Sequence, residues 1–134
     1  MQNNKSIIKT LKTIYEVDIA IANRSTTLAQ LKKRYTYNNG DELDNEVMQC
    51  DATTTACKDK KTNRPVILIK HNKLSDYKDI DKKTDLINVS AHEATHAMLD
   101  VYWMIGDNVN LNSQEPTAYF IGWLTEEIYK IFKA

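Results

Sequence analysis

Three residues of this chain combine types and spacing suited to metal chemistry: His92, Glu93 and His96, in the run HEATH. Histidines at i and i+4 project from one side of a helix, one turn apart, so both imidazoles can reach a single ion at about 2.0 to 2.1 Å. Glu93 stands one step round from His92, placed to hydrogen-bond a water on that ion instead of ligating it. Zinc lowers the pKa of such a water from about 15.7 towards 7, and a carboxylate that takes the proton leaves a nucleophile able to attack a peptide carbonyl. The run therefore predicts a site for one Zn²⁺, with His92 and His96 as ligands and Glu93 as general base.

A catalytic zinc takes a third protein ligand and keeps one position open. Glu115, in NSQEPTAYF, is the leading candidate, because the eighteen residues between it and His96 suffice to finish one helix, turn through DNVNLNS and return antiparallel. Asp107 and His71 are the alternatives. Gly106-Asp107-Asn108 also reads as a helix-ending turn, and a histidine at the end of PVILIK also reads as a solvent-facing residue. Tyr119, one turn after Glu115, is the expected donor to an oxyanion or a zinc ligand, against the plainer reading of a tyrosine packed between helices. Asp100, one turn after His96, either orients a histidine or sits on the helix surface.

HExxH on one helix with a glutamate on the next resembles the gluzincin metallopeptidases over residues 84–130. The resemblance implies a zincin-like fold, zinc-dependent peptide hydrolysis, His92, His96 and Glu115 as ligands and Glu93 as base. The runs HEATHAMLD and EPTAYFIGWL also resemble the short zincin-like proteins encoded by phages and prophages. The size of the chain, 134 residues with little room for the substrate-binding subdomain of larger peptidases, points to a second function, a catalytically silent zinc-binding protein of the same fold with a structural or virion-associated role. The metzincin pattern is excluded, since Leu99 and Tyr102 stand where it requires Gly and His.

A chain of 134 residues, 42% hydrophobic and 27% charged, has the size and composition of one domain over 1–134. Eighteen basic residues balance eighteen acidic ones, so no net field favours nucleic acid or an anionic membrane, and the expected partner is a peptide or protein substrate, or a phage or virion protein under the second reading. No stretch approaches the roughly 18 to 20 apolar residues of a membrane span. Lys5, Lys9 and Lys12 interrupt the apolar residues at the start, unlike a secretion signal, so the expected location is the cytoplasm, or a virion if the chain is phage-encoded. Cys50 and Cys57 lack the CxxC spacing of a zinc knuckle and read as two reduced thiols near a hairpin, bridged only if the flanking strands pair.

The elements that must carry these residues follow from periodicity. Residues 6–14, behind Ser6 as cap, read as a helix, 15–21 as a strand, and 26–35 as a helix after Ser25 that stops by Asn38-Asn39-Gly40. Residues 46–55 and 65–70 read as strands around the turn KDKKTNR, and one of them is expected to be an edge that pairs with an extended substrate. A long helix over 86–105, capped from 81–85 and ended by Gly106, carries HEATH, with Ile87, Ala91, Ala94, Met98 and Val101 towards the core. A last helix, opened by Ser113 and Pro116, runs to 132 with the stripe Phe120, Leu124, Ile128 and Ile131, and Trp103 and Trp123 are expected to close the helix interface. The order predicts an α+β fold, a small zincin-like domain in which a short mixed or antiparallel sheet packs against the HExxH helix and the C-terminal helix.

Overall fold

The computed structural model describes residues 5–73 and 82–134. It is an α+β arrangement of five strands and three α-helices among the described residues. The strands are β1 (Ile8–Lys12), β2 (Asp18–Ala22), β3 (Tyr35–Tyr37), β4 (Ala52–Asp59) and β5 (Pro65–His71). The helices are α1 (Leu28–Arg34), α2 (Lys82–Ile105) and α3 (Glu115–Phe132), with a short 3-10 helix at Asn45–Met48. The sheet is mixed, in the order β1-β2-β5-β4-β3, with the β2/β5 pair parallel and every other pair antiparallel.

The first segment is a strand, not the helix its apolar spacing suggested. Ile7, Ile8, Leu11 and Ile14 fit a helical period, but five of the residues in 7–14 are β-branched and lose side-chain freedom in a helix. A turn at Glu16, whose φ is 60°, folds 8–12 back on β2, pairing Leu11 with Ile19 and Lys12 with Asp18. Ser6 caps nothing and instead shares a hydroxyl hydrogen bond with Thr26. Asp18 is almost fully buried yet charged: burial alone would raise its pKa, but Lys12 at 2.8 Å and Arg64 at 3.1 Å outweigh that and hold the carboxyl below its usual range.

Period-two alternation on the buried strands divides the core in two. Ile19, Ile21, Ile67 and Ile69 face the long helices and meet Leu86, Ala94, Ala97, Val101, Leu124, Ile128 and Phe132. Ala20, Ala22, Val66, Leu68 and Cys57 face the other way and meet Leu31, Tyr35, Leu43 and Val47. Helix α1 begins two residues later than expected, because Thr27, not Ser25, is the cap: its hydroxyl accepts from the Gln30 backbone N–H while the Gln30 side chain accepts from the Thr27 N–H. The helix ends at Arg34, where Tyr35 turns extended to join the sheet, earlier than the Asn38-Asn39-Gly40 stop. Residues 46–51, expected in a strand, instead form the end of the 3-10 helix and a loop before β4.

The HEATH helix ends at Ile105 as expected but is already helical over 82–85, the residues expected to cap it; Asp81 lies outside the described residues. Gly106, with φ of 71°, ends it: the Asp107 N–H bonds the Tyr102 carbonyl at 2.9 Å and the Gly106 N–H bonds that of Trp103 at 3.3 Å, the left-handed stop that glycine favours. Ala94, Met98 and Val101 are buried as expected, but Ile87 is half exposed. In α3, Leu124, Ile128 and Ile131 are buried and Phe120 packs on the core. Trp103 does not close the interface: it is 74% exposed, while Trp123 stacks edge-on against Phe120.

Candidate metal centre

On α2, steps of 100° place Glu93, Asp100, His96 and His92 successively round one side of the helix. That side looks across a cleft of about 480 Å³ whose other wall is the start of β4 (Ala52, Thr53, Thr54, Thr55), the 3-10 helix (Glu46, Val47), Cys50 and Tyr37. The Nε2 atoms of His92 and His96 lie 3.1 Å apart, both side chains exposed to the cleft. Two zinc–nitrogen bonds at a tetrahedral angle would set them about 3.3 Å apart, so the pair already has the bite of a two-point chelate.

Glu93 is 5% exposed and accepts a short hydrogen bond from the Thr54 hydroxyl of β4. This contact crosses from helix to sheet and fixes the carboxylate beside the histidines. Asp100 lines the same wall half buried; burial raises its pKa and the neighbouring His96 opposes the shift. The cleft thus carries Glu46, Glu93 and Asp100 with no lysine or arginine among its lining residues, a field suited to a cation. Tyr37 donates its hydroxyl to Asp44 at 2.5 Å, and burial together with that bond pushes its pKa up to about 12.

Glu115 and Tyr119 are placed elsewhere. Helix α2 continues nine residues past His96, a rise of about 13 Å, before α3 begins. The Tyr102 and Thr117 hydroxyls, 3.0 Å apart, set the register of the return, so Glu115 sits beyond the far end of the HEATH segment, exposed, and Tyr119 is 75% exposed. Neither lines the cleft. Asp107 lies exposed in the turn after Gly106, its backbone N–H serving the helix stop and its carboxylate accepting from the Asn108 N–H. His71 is buried on β5, stacked on Phe132 with ring centroids 4.5 Å apart, and burial pushes its pKa down to about 4. Among the described residues no three His, Cys, Asp or Glu side chains stand together as a metal-holding group. The donor chemistry of the histidine pair fits zinc; the third donor is the part the side chains do not yet assemble.

The edge strand expected beside the site is β4, not the interior β5. Strand β3 covers β4 only over 57–59 and the Asn38 N–H takes the Ala56 carbonyl, so among the described residues no strand pairs with the outer side of 52–55, the stretch that lines the cleft. Sequence reading missed Thr54, Glu46, Cys50 and Tyr37 as site residues; the run Thr53-Thr54-Thr55 carries no alternation to mark which face meets the helix. The two cysteines are unbridged, Cys50 exposed in the cleft and Cys57 buried on the opposite face of the sheet. Comparison with protein-family models, with curated proteins and with solved structures finds no match.

Proposed function

We propose that this chain is a small zinc-dependent metallopeptidase whose ion is held by His92 and His96 and whose general base is Glu93. One observation carries the reading: a helix-borne histidine pair with its Nε2 atoms 3.1 Å apart, beside a carboxylate locked in the same cleft by Thr54. Zinc bound there would supply Lewis acidity and a water acidified towards a pKa of about 7. Beside it, the Glu93 carboxylate would take a proton from the attacking water and hand it to the leaving amine as the carbon–nitrogen bond breaks. The uncovered stretch 52–55 offers backbone groups to an extended peptide, which would lie along β4 and present its carbonyl to the histidines.

Glu93→Gln tests the role of the base. It is expected to keep its metal, because the amide still fits and Glu93 is not a ligand, and to lose about 10² to 10⁴-fold in chelator-sensitive cleavage of a peptide library. Full activity in this variant would sink the mechanism. A second reading, a catalytically silent zinc-binding protein with a structural or virion-associated role, is favoured by the position of Glu115 and Tyr119 outside the cleft. It requires metal-loaded wild type to cleave nothing.

A further inference from the structure

We infer that Cys50 is the third protein donor, closing a two-histidine, one-cysteine set across the cleft. The inference rests on reading His92 and His96 as a metal pair and goes beyond it, because two donors on one helix need a third from another direction. Four ionisable side chains other than Glu93 share the cleft with the pair: Tyr37, whose hydroxyl is committed to Asp44 and whose pKa is pushed up to about 12, and Glu46, Cys50 and Asp100. Asp100 belongs to α2 itself, one turn past His96, so it shares the wall that carries the pair and does not close the set from across the cleft. Glu46 faces α2 but would have to immobilise a long, flexible side chain.

Cys50 has one side-chain torsion and stands on anchored backbone. The Asn72 side-chain amide donates to the Gln49 carbonyl at 2.7 Å and the Asn72 backbone N–H to the Asp51 carbonyl at 2.8 Å, so the backbone is tied on both sides of the cysteine. Its thiol is free and exposed in the cleft. Thiolate joined to imidazole is a donor set that suits zinc, and two histidines with one cysteine leave a fourth position open. The three side chains do not yet converge, so ligation requires Cys50 to turn towards the histidines. As the sulfur–metal bond forms, the sulfur–hydrogen bond breaks and its proton leaves to solvent, one per ion bound.

Titrating the reduced, full-length protein with Co²⁺ alone tests this without any activity assay. The expected spectrum carries a thiolate-to-cobalt charge-transfer band in the near ultraviolet. Cys50→Ser should abolish that band and weaken cobalt binding by about tenfold or more, whereas Glu46→Gln and Glu115→Gln should keep the band. Cobalt bound through the histidines without the band, or a band unchanged in Cys50→Ser, would overturn the assignment and leave the histidine pair standing. A wild type that binds no cobalt would overturn both. In the unmodified protein, zinc should also slow alkylation of Cys50, and an unchanged rate would count against it.

Discussion

Glu93 occupies a position in which an unpaired carboxylate would be costly, and the Thr54 hydroxyl is the partner that makes it tolerable. Thr54→Val preserves shape but removes that donor, so it should lower stability by about 1 to 3 kcal/mol in urea unfolding and reduce cleavage while leaving the metal bound. His71 makes a separate prediction. Neither ring nitrogen makes a well-formed hydrogen bond among the described residues, and burial first, then Lys70 and Arg24, push its pKa down to about 4, with Phe132 and Asp51 opposing. Between that value and the ordinary 6.5 the unfolded chain binds more protons, so stability should be whole above pH 6.5 and fall as pH drops towards 4, by on the order of 3 kcal/mol. Unfolding measured across that range should show the loss, and His71→Leu should flatten it; an unchanged slope would contradict the assignment. The triplet His92, Glu93 and His96 was legible because a helix turns spacing into direction. Thr54 and Cys50 were not, since they lie some forty residues away on a different element and only the sheet register brings them to the cleft.

Helices α2 and α3 were legible because their amphipathic periods are long, Gly106 stops α2 and Pro116 opens α3. Residues 6–14 were not, because four apolar positions satisfied a helical period that β-branched chemistry and the turn at Glu16 overrode. The same distinction applies to α1, whose seven residues cannot sustain a helix without end effects. Thr27→Ala should therefore cost about 1 kcal/mol, read as a lowered denaturation midpoint, because it opens the reciprocal cap with Gln30. Leu124→Ala, beneath the interface of α3 with the sheet, should cost about 2 to 5 kcal/mol. A smaller loss there than at Thr27 would mean that α3 does not seal the core. The register of α3 against α2, pinned by Tyr102 and Thr117, also explains why spacing alone favoured Glu115: eighteen residues suffice for a return, but the length of α2 beyond His96 was not fixed by that count.

At the scale of the whole molecule, the sheet supplies one wall of the cleft and the HEATH helix the other, and Thr54 to Glu93 is the bond that joins them. No helix among the described residues is long and apolar enough to cross a membrane. Balanced charge over the chain contrasts with a cleft lined by three carboxylates and no lysine or arginine, so the electrostatic signal is local and directed at a cation. We propose that this cation is zinc on His92 and His96. Elemental analysis of protein purified without added zinc tests it most directly. Wild type should carry about one zinc per chain, and the double variant His92→Ala, His96→Ala should carry almost none. A metal-free wild type, or a double variant that retains the full complement, would contradict it.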